Sequence, residues 1–243
     1  MPDKPYLRSI ALQRDRIETF ESHPFRIPAI RELDSIEFHP DVTFFVGENG
    51  SGKSTLIEAI ALSLGFSSEG GTKNVRLNTA NETSSLREHL KLVRGFSQPR
   101  DHYFLRAETF YNVATYMDET GYLRGYGDKS LHARSHGEAF IALLTDKLRG
   151  NGLYVFDEPE AALSPARQLT ALRLLHELVQ DGSQFIIATH SPILLSYPRA
   201  KIIQFGRAGL CEVKYEDTEH FALTRDFLNN YQGTLRHLLA DDS

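Results

Sequence analysis

The run Gly47-Glu48-Asn49-Gly50-Ser51-Gly52-Lys53-Ser54 constrains this chain more than any other feature. It fits G-x-x-x-x-G-K-[S/T], follows the apolar run Val42–Val46 and opens a helical pattern from Lys53 to Leu64. A buried strand, a glycine turn and a helix start, in that order, make a cradle for phosphate. Backbone N–H groups of Asn49, Gly50, Ser51 and Gly52 can curl around an anion, and the helix N-terminus adds the positive end of its dipole. Lys53 is then the expected contact to the β- and γ-phosphates, Ser54 the hydroxyl offered to Mg²⁺, and Thr55 a contact to the α-phosphate. ATP with Mg²⁺ is the ligand such a loop predicts.

Three further apolar runs, Leu153–Phe156, Phe185–Ala188 and Ile202–Phe205, read like Val42–Val46 as strands buried on both faces. A second long helix is expected from Pro165 to Val179. Its apolar stripe is Leu169, Leu172, Leu175 and Leu178, and Ser164-Pro165 is its start. Strands alternating with helices predict an α/β fold with a mostly parallel central sheet. Tyr6–Leu12 and Ile36–Phe38 predict a small antiparallel flanking sheet. Residues 66–100 read as a polar insertion with a helix near Leu86–Val93. His102–Tyr111 reads as a strand, Gly121–Arg134 as a loop, and Thr218–Leu239 as helical. A single domain over 1–243 accommodates all of these.

Composition narrows the functional classes. The chain has 243 residues, 41% hydrophobic and 24% charged, enough for one packed core. A net charge of −5 excludes a duplex-binding surface spread over the whole molecule. Arg87, Lys91 and Arg94 at helical spacing, with Arg100 and Arg106 beyond, form a local basic strip that could touch nucleic acid; a solvated helix face is the plainer reading. The single cysteine, Cys211, permits no intrachain disulfide and no cysteine-based metal site, and it suits a reducing cytosol. The start lacks an apolar signal core, and no apolar run approaches the roughly 18 to 20 residues that span a bilayer. A cytoplasmic location without membrane insertion is therefore expected.

Leu153-Tyr154-Val155-Phe156-Asp157-Glu158 is an apolar strand ending in two carboxylates. Two solvated acids capping a strand are common. Behind a phosphate loop, however, Asp157 is the expected second Mg²⁺ ligand, and Glu158 the general base that polarises an attacking water.

Three shorter motifs follow the phosphate loop: Ser135-His136-Gly137-Glu138 ahead of a helical pattern at Ala139–Leu148, Glu160-Ala161-Ala162-Leu163-Ser164, and Ala188-Thr189-His190-Ser191. With these, the chain resembles the ABC ATPase superfamily from about Val42 to Phe205. The resemblance implies a P-loop NTPase fold of the ABC head type. It makes Ser135 and Gly137 the signature elements that bind the γ-phosphate held by a second protomer. It makes His190 the switch histidine that touches γ-phosphate, and Glu160–Ser164 the D-loop. It further implies ATP hydrolysis by a head-to-tail homodimer assembled around two ATP molecules.

Gly-Glu-Asn-Gly-Ser-Gly-Lys-Ser-Thr and Asp-Glu-Pro-Glu-Ala-Ala-Leu-Ser-Pro look like the soluble, non-transport branch. That branch holds structural-maintenance-of-chromosomes proteins, recombination-nuclease ATPases and overcoming-lysogenization-defect nucleases, and small stand-alone bacterial ATPases resemble the chain most. The branch implies a role in DNA repair or phage defence, with nucleic acid or an effector protein as partner. The alternative is the ATP-binding subunit of a membrane transporter. The chain departs from the pattern at Ser164, where many members carry aspartate, and at His136, which replaces a small residue. Glu108, read as closing the strand after the insertion, stands for the glutamine loop as a water-mediated Mg²⁺ contact, with Gln98 the other candidate. His23 and Phe25 are candidates for the adenine contact.

Overall fold

Among residues 4–73, 85–119 and 135–240, which the computed structural model describes, the chain runs β1 (Leu7–Leu12), α1 (Pro28–Arg31), β2 (Ser35–Glu37), β3 (Val42–Gly47), α2 (Lys53–Leu64), β4 (Leu90–Arg94) and β5 (Asp101–Arg106). It continues through α3 (Phe110–Glu119), α4 (His136–Ala142), β6 (Gly152–Asp157), α5 (Pro165–Gln180), β7 (Gln184–Ala188), α6 (Pro192–Leu195), β8 (Ala200–Gly206), β9 (Gly209–Val213), α7 (Glu219–Asn229) and α8 (Tyr231–Leu238). A six-stranded sheet has the order β5-β6-β7-β3-β8-β9, and a three-stranded sheet the order β2-β1-β4. The large sheet is parallel except for its last pair, β8 with β9. The small sheet is antiparallel throughout.

Every residue of β3, β6 and β7 is buried, so helices or strands must cover both faces of the large sheet. Alternation along each strand sends neighbours to opposite layers. Phe44, Phe156 and Phe185 join α3, α4 and α5 through Val113, Phe140 and Leu174 in one layer. Phe45, Val155 and Ile186 join α2 and the small sheet through Ile57, Ile60 and Ile10 in the other. This is the α/β architecture the sequence predicts, with a mostly parallel sheet and an antiparallel flank.

Four local expectations fail. Leu86–Val93 is not a helix: a 3₁₀ turn at Ser85–His89 leads into β4, which pairs with β1 from Leu12 opposite Leu90 to Leu7 opposite Arg94. The open edge of β1 supplies hydrogen-bond partners that local propensity does not register. The basic strip therefore does not lie on one helix face, because Lys91 and Arg94 are strand residues and Arg106 closes β5. The strand expected over His102–Tyr111 ends at Arg106, and Glu108 sits in the 3₁₀ turn Ala107–Thr109. On α5, Leu169 is 60% exposed; the buried residues are Ala171, Leu174, Leu175 and Val179. The loop expected over Gly121–Arg134, and residues 74–84 of the expected insertion, lie outside the described residues.

Candidate active site

The phosphate loop is shaped by backbone that only glycine tolerates at its first position. Gly47 ends β3 with φ +152°, and a Cβ there would lie 2.5 Å from the Phe205 carbonyl oxygen. Gly52, at φ +102°, turns the chain into α2. Lys53 is buried, and its Nζ donates to the Gly47 carbonyl at 2.8 Å and the Glu48 carbonyl at 2.9 Å, closing the loop on itself. Burial lowers the Lys53 pKa, while Glu158, Asp157 and Glu160 oppose that shift.

Strand register assembles the acids around the loop. β5, β6 and β7 lie side by side, with Arg106 paired to Asp157 and Asp157 to Ala188. Glu158 and His190 thus emerge just past adjacent strand ends. Ser54 Oγ donates to Asp157 Oδ1 at 3.0 Å. Burial raises the Asp157 pKa to about 6, against the pull of Arg106 and the Ser54 hydrogen bond. Arg106 holds Glu58 at 2.7 Å, with its Nε 3.9 Å from Asp157 and 3.7 Å from Glu108. The sequence reading assigned Arg106 to a surface strip; its place as the ladder neighbour of Asp157 is a property of strand order alone.

Glu158 adopts left-handed backbone, φ 51° and ψ 50°, which a non-glycine residue holds only when its surroundings enforce it. The Glu158 N–H donates to the Ala188 carbonyl at 2.9 Å. Glu158 Oε1 lies 3.6 Å from His190 Nε2. Glu160 fixes the His190 loop from below: it accepts the His190 N–H at 2.6 Å and the Thr189 hydroxyl at 2.7 Å. Burial pushes His190 down to about 4, so its ring is neutral near pH 7. Neither Glu160 nor His220, which contacts His190 Nδ1 at 2.9 Å, was singled out as a side chain with a role from sequence.

A cleft of about 700 Å³ gathers Asn49, Gly50, Gly52, Lys53, Ser54, Thr55, Glu108 and Glu158 with His23, Arg26, Ile27 and Pro28. Ser51 lines a neighbouring cleft of about 500 Å³, and its Oγ is buried without a hydrogen-bond partner. His190 lines neither cleft; its Nε2 is buried and has no hydrogen-bond partner among the described residues. An exposed phosphate loop with an unsatisfied polar atom fits a phosphorylated nucleotide. For Mg²⁺, the Ser54 hydroxyl and Asp157 carboxylate are hard oxygen donors brought together beside the loop. Among the described residues no group of three or more His, Cys, Asp or Glu forms a closed cage. Two protein ligands with the remaining positions left to water and phosphate is how Mg²⁺ is commonly held. Glu108 lines the cleft from its 3₁₀ turn, with its side chain 78% exposed. His23 lines the cleft as well. Phe25 does not: it is buried, edge-on to Phe20 and His89.

Ser135 and Gly137 stand apart from this cleft. Ser135 caps α4 in a reciprocal capping box with Glu138. Arg167 of α5 donates to Ser135 Oγ at 3.1 Å and to Glu138 Oε1 at 3.3 Å. A side chain at Gly137 would run into Arg167 and the Ala162 carbonyl. Among the described residues of one copy, nothing brings this corner to the phosphate loop.

Comparison with known proteins agrees with this geometry. Residues 16–118 match a family model described as an AAA domain. Residues 135–196 match one described as "AAA domain, putative AbiEii toxin, Type IV TA system". The chain is 28% identical over 182 residues to a "Putative ABC transporter ATP-binding protein" of Methanothermobacter marburgensis, covering 65% of this chain and 64% of that one. It is 27% identical over 170 residues to the vitamin B12 import ATP-binding protein of Salmonella typhimurium, covering 62% and 66%. The match thus spans somewhat less than two thirds of each relative. Among solved structures, "An inward-facing conformation of a putative metal-chelate type ABC transporter" superposes with a TM-score of 0.50 at 17% identity, over 90% of this chain and 88% of that one. The SMC head domain of Thermotoga maritima gives 0.48 at 16%, over 86% and 99%. Among the described residues no helix is long and apolar enough to cross a membrane. By its phosphate loop and sheet order the chain has an α/β P-loop fold of the ABC-like type, and the AAA-domain descriptions matched over residues 16–118 and 135–196 point to an ATPase.

Proposed function

We propose that this chain hydrolyses ATP with Mg²⁺ at a site completed by a second copy of itself, arranged head to tail. The observation that carries the reading is a separation. The phosphate loop, Glu108 and Glu158 share one cleft, whereas Ser135 and Gly137, the residues that the resemblance assigns to γ-phosphate, lie outside it. A second copy is the simplest source of the missing wall.

In this reading Lys53 and the N–H groups of Asn49 to Gly52 hold the phosphates. Ser54 and Asp157 hold Mg²⁺, with Glu108 reaching it through water. When bound, the ion supplies positive charge beside the phosphate oxygens. Glu158 orients a water and takes up its proton, and His190 presents its imidazole to the γ-phosphate position. Ser135 and the backbone near Gly137 close the opposite side from the partner copy. His23, Arg26 and Ile27, which line the same cleft, are the candidates for contact with the nucleoside.

For the cellular role, we favour a soluble ATPase of genome maintenance or phage defence, working on nucleic acid or an effector protein. The toxin–antitoxin description of the model matching residues 135–196 supports this. The names of the curated relatives favour a second reading, the ATP-binding subunit of a transporter. Fractionation of the native protein separates the two: recovery with membranes supports the transporter reading, and recovery in the soluble fraction supports the first.

Light scattering on Glu158→Gln, with and without Mg-ATP, tests the shared site. Conversion of monomer to dimer by ATP is the expected result. A monomer with ATP demonstrably bound rejects the two-copy site.

A further inference from the structure

His190 has a second imidazole behind it. His190 Nδ1 and His220 Nε2 are 2.9 Å apart, with ring centroids 5.1 Å apart and planes inclined by 53°. Two neutral imidazoles at this distance share a single proton, one nitrogen donating and the other accepting. Two choices exist, and the surroundings of the two outer nitrogens distinguish them.

In the first choice, His190 carries its proton on Nδ1 and donates to His220. Its Nε2 then turns a lone pair toward the Glu158 carboxylate at 3.6 Å, acceptor against acceptor. His220 must then carry its own proton on Nδ1, which is buried with no hydrogen-bond partner among the described residues. A buried, unsatisfied N–H is among the costlier defects in a folded protein. In the second choice, His220 donates from Nε2 and His190 carries its proton on Nε2. An N–H now faces the carboxylate, and the unpaired atom left behind at His220 is only a lone pair. Both differences favour the second choice.

His220 is well held for this task. Thr218, fully buried, caps α7 by accepting the Phe221 N–H at 3.3 Å and donates to the Tyr215 carbonyl at 2.7 Å. The Tyr215 ring packs on Phe221 at 4.6 Å, and its hydroxyl donates to the Pro192 carbonyl at 2.9 Å, two residues past His190. The start of α7 is thereby tied to the loop that carries its target.

We infer that His220 is a positioning residue: its Nε2–H donates to His190 Nδ1 and locks His190 in the Nε2–H tautomer, so that His190 turns a hydrogen-bond donor toward Glu158 in the cleft wall. A donor is what a phosphate oxygen requires, and an imidazole held in the wrong tautomer would present a repelling lone pair. The use of that donor in ATP hydrolysis rests on the function proposed above; the tautomer itself does not.

The test is long-range ¹H–¹⁵N spectroscopy of the imidazoles in nucleotide-free protein at neutral pH, with His190→Gln and His220→Phe to assign the signals. The expected result is a single Nε2–H tautomer at His190 in the wild-type chain and a mixture in His220→Phe. ATP turnover of His220→Phe should fall about 10- to 100-fold with ATP affinity retained, the scale typical of partners that orient a functional histidine. His220→Gln, whose amide N–H can donate, should recover most of that loss. An Nδ1–H tautomer at His190 in the wild-type chain overturns the inference, even if His220→Phe fails to fold. An unchanged tautomer in a folded His220→Phe overturns it too. The expected tautomers in a chain that shows no ATP turnover would support the His190–His220 assignment while removing the hydrolase reading.

Discussion

The Glu160 carboxylate accepts the backbone N–H of His190 at 2.6 Å across 30 residues of sequence, tying the loop after β7 to the loop after β6. A second bond, from the Thr189 hydroxyl at 2.7 Å, makes the grip two-point. Glu160→Ala should leave the His190 loop unanchored and lower ATP turnover about tenfold or more, because misplaced catalytic groups lose rate steeply. Glu160→Gln keeps an acceptor oxygen and should lose less. Equal turnover in Glu160→Ala and wild type would show that this clamp has no part in hydrolysis.

Lys53→Ala should abolish nucleotide binding. The change removes the buried cation and also the two hydrogen bonds that close the loop onto Gly47 and Glu48. Calorimetric titration with ATP is the check, and near-native affinity would sink the phosphate-loop assignment.

Ser135→Arg should block turnover and leave ATP binding by the single copy intact. The reason is distance: Ser135 contacts Glu138 and Arg167 and has no place in its own chain's cleft. Turnover that survives this change would mean that the site needs nothing from a partner's Ser135.

His190 should contribute a loss of stability as pH falls from about 6.5 toward 4, opposed in the same window by Asp157, whose carboxyl is raised to about 6 by burial. The His190 pKa is lowered from 6.5 to about 4 in the folded chain, first by burial and then by Lys53 and His220. Between those values the unfolded chain binds the proton that the folded chain refuses, so acid favours unfolding; above 6.5 the effect is absent. His220 is shifted in the same direction, also mainly by burial. Thermal unfolding of His190→Asn should show a shallower loss across this window than wild type. Parallel curves would mean that His190 titrates normally.

The phosphate loop was legible because its chemistry is local. Gly47, Gly52, Lys53 and Ser54 act within one strand–turn–helix, so spacing alone reports them. The acid pair closing β6 and the buried strands were legible for a related reason, since a strand covered on both faces must be continuously apolar. Sequence failed where a residue's state depends on a distant neighbour. Residues 90–94 became a strand because β1 had an edge to offer, and the alternation of Leu90, Lys91 and Leu92 is too short to announce it alone. Leu169 fitted the helical spacing but faces outward, because α5 turns the side bearing Ala171 and Leu174 to the sheet.

The sequence by itself determined a P-loop α/β fold, the position of its glycine loop and the order of the motifs around it. Tertiary structure alone decided which charges and protons meet. Arg106 reaches Asp157 because β5 lies beside β6 in the sheet. His220 reaches His190 because α7 is tied back to the loop after β7. Strand order and helix docking are set by burial summed over the whole core, a non-directional force that leaves little local trace in the residues it brings together.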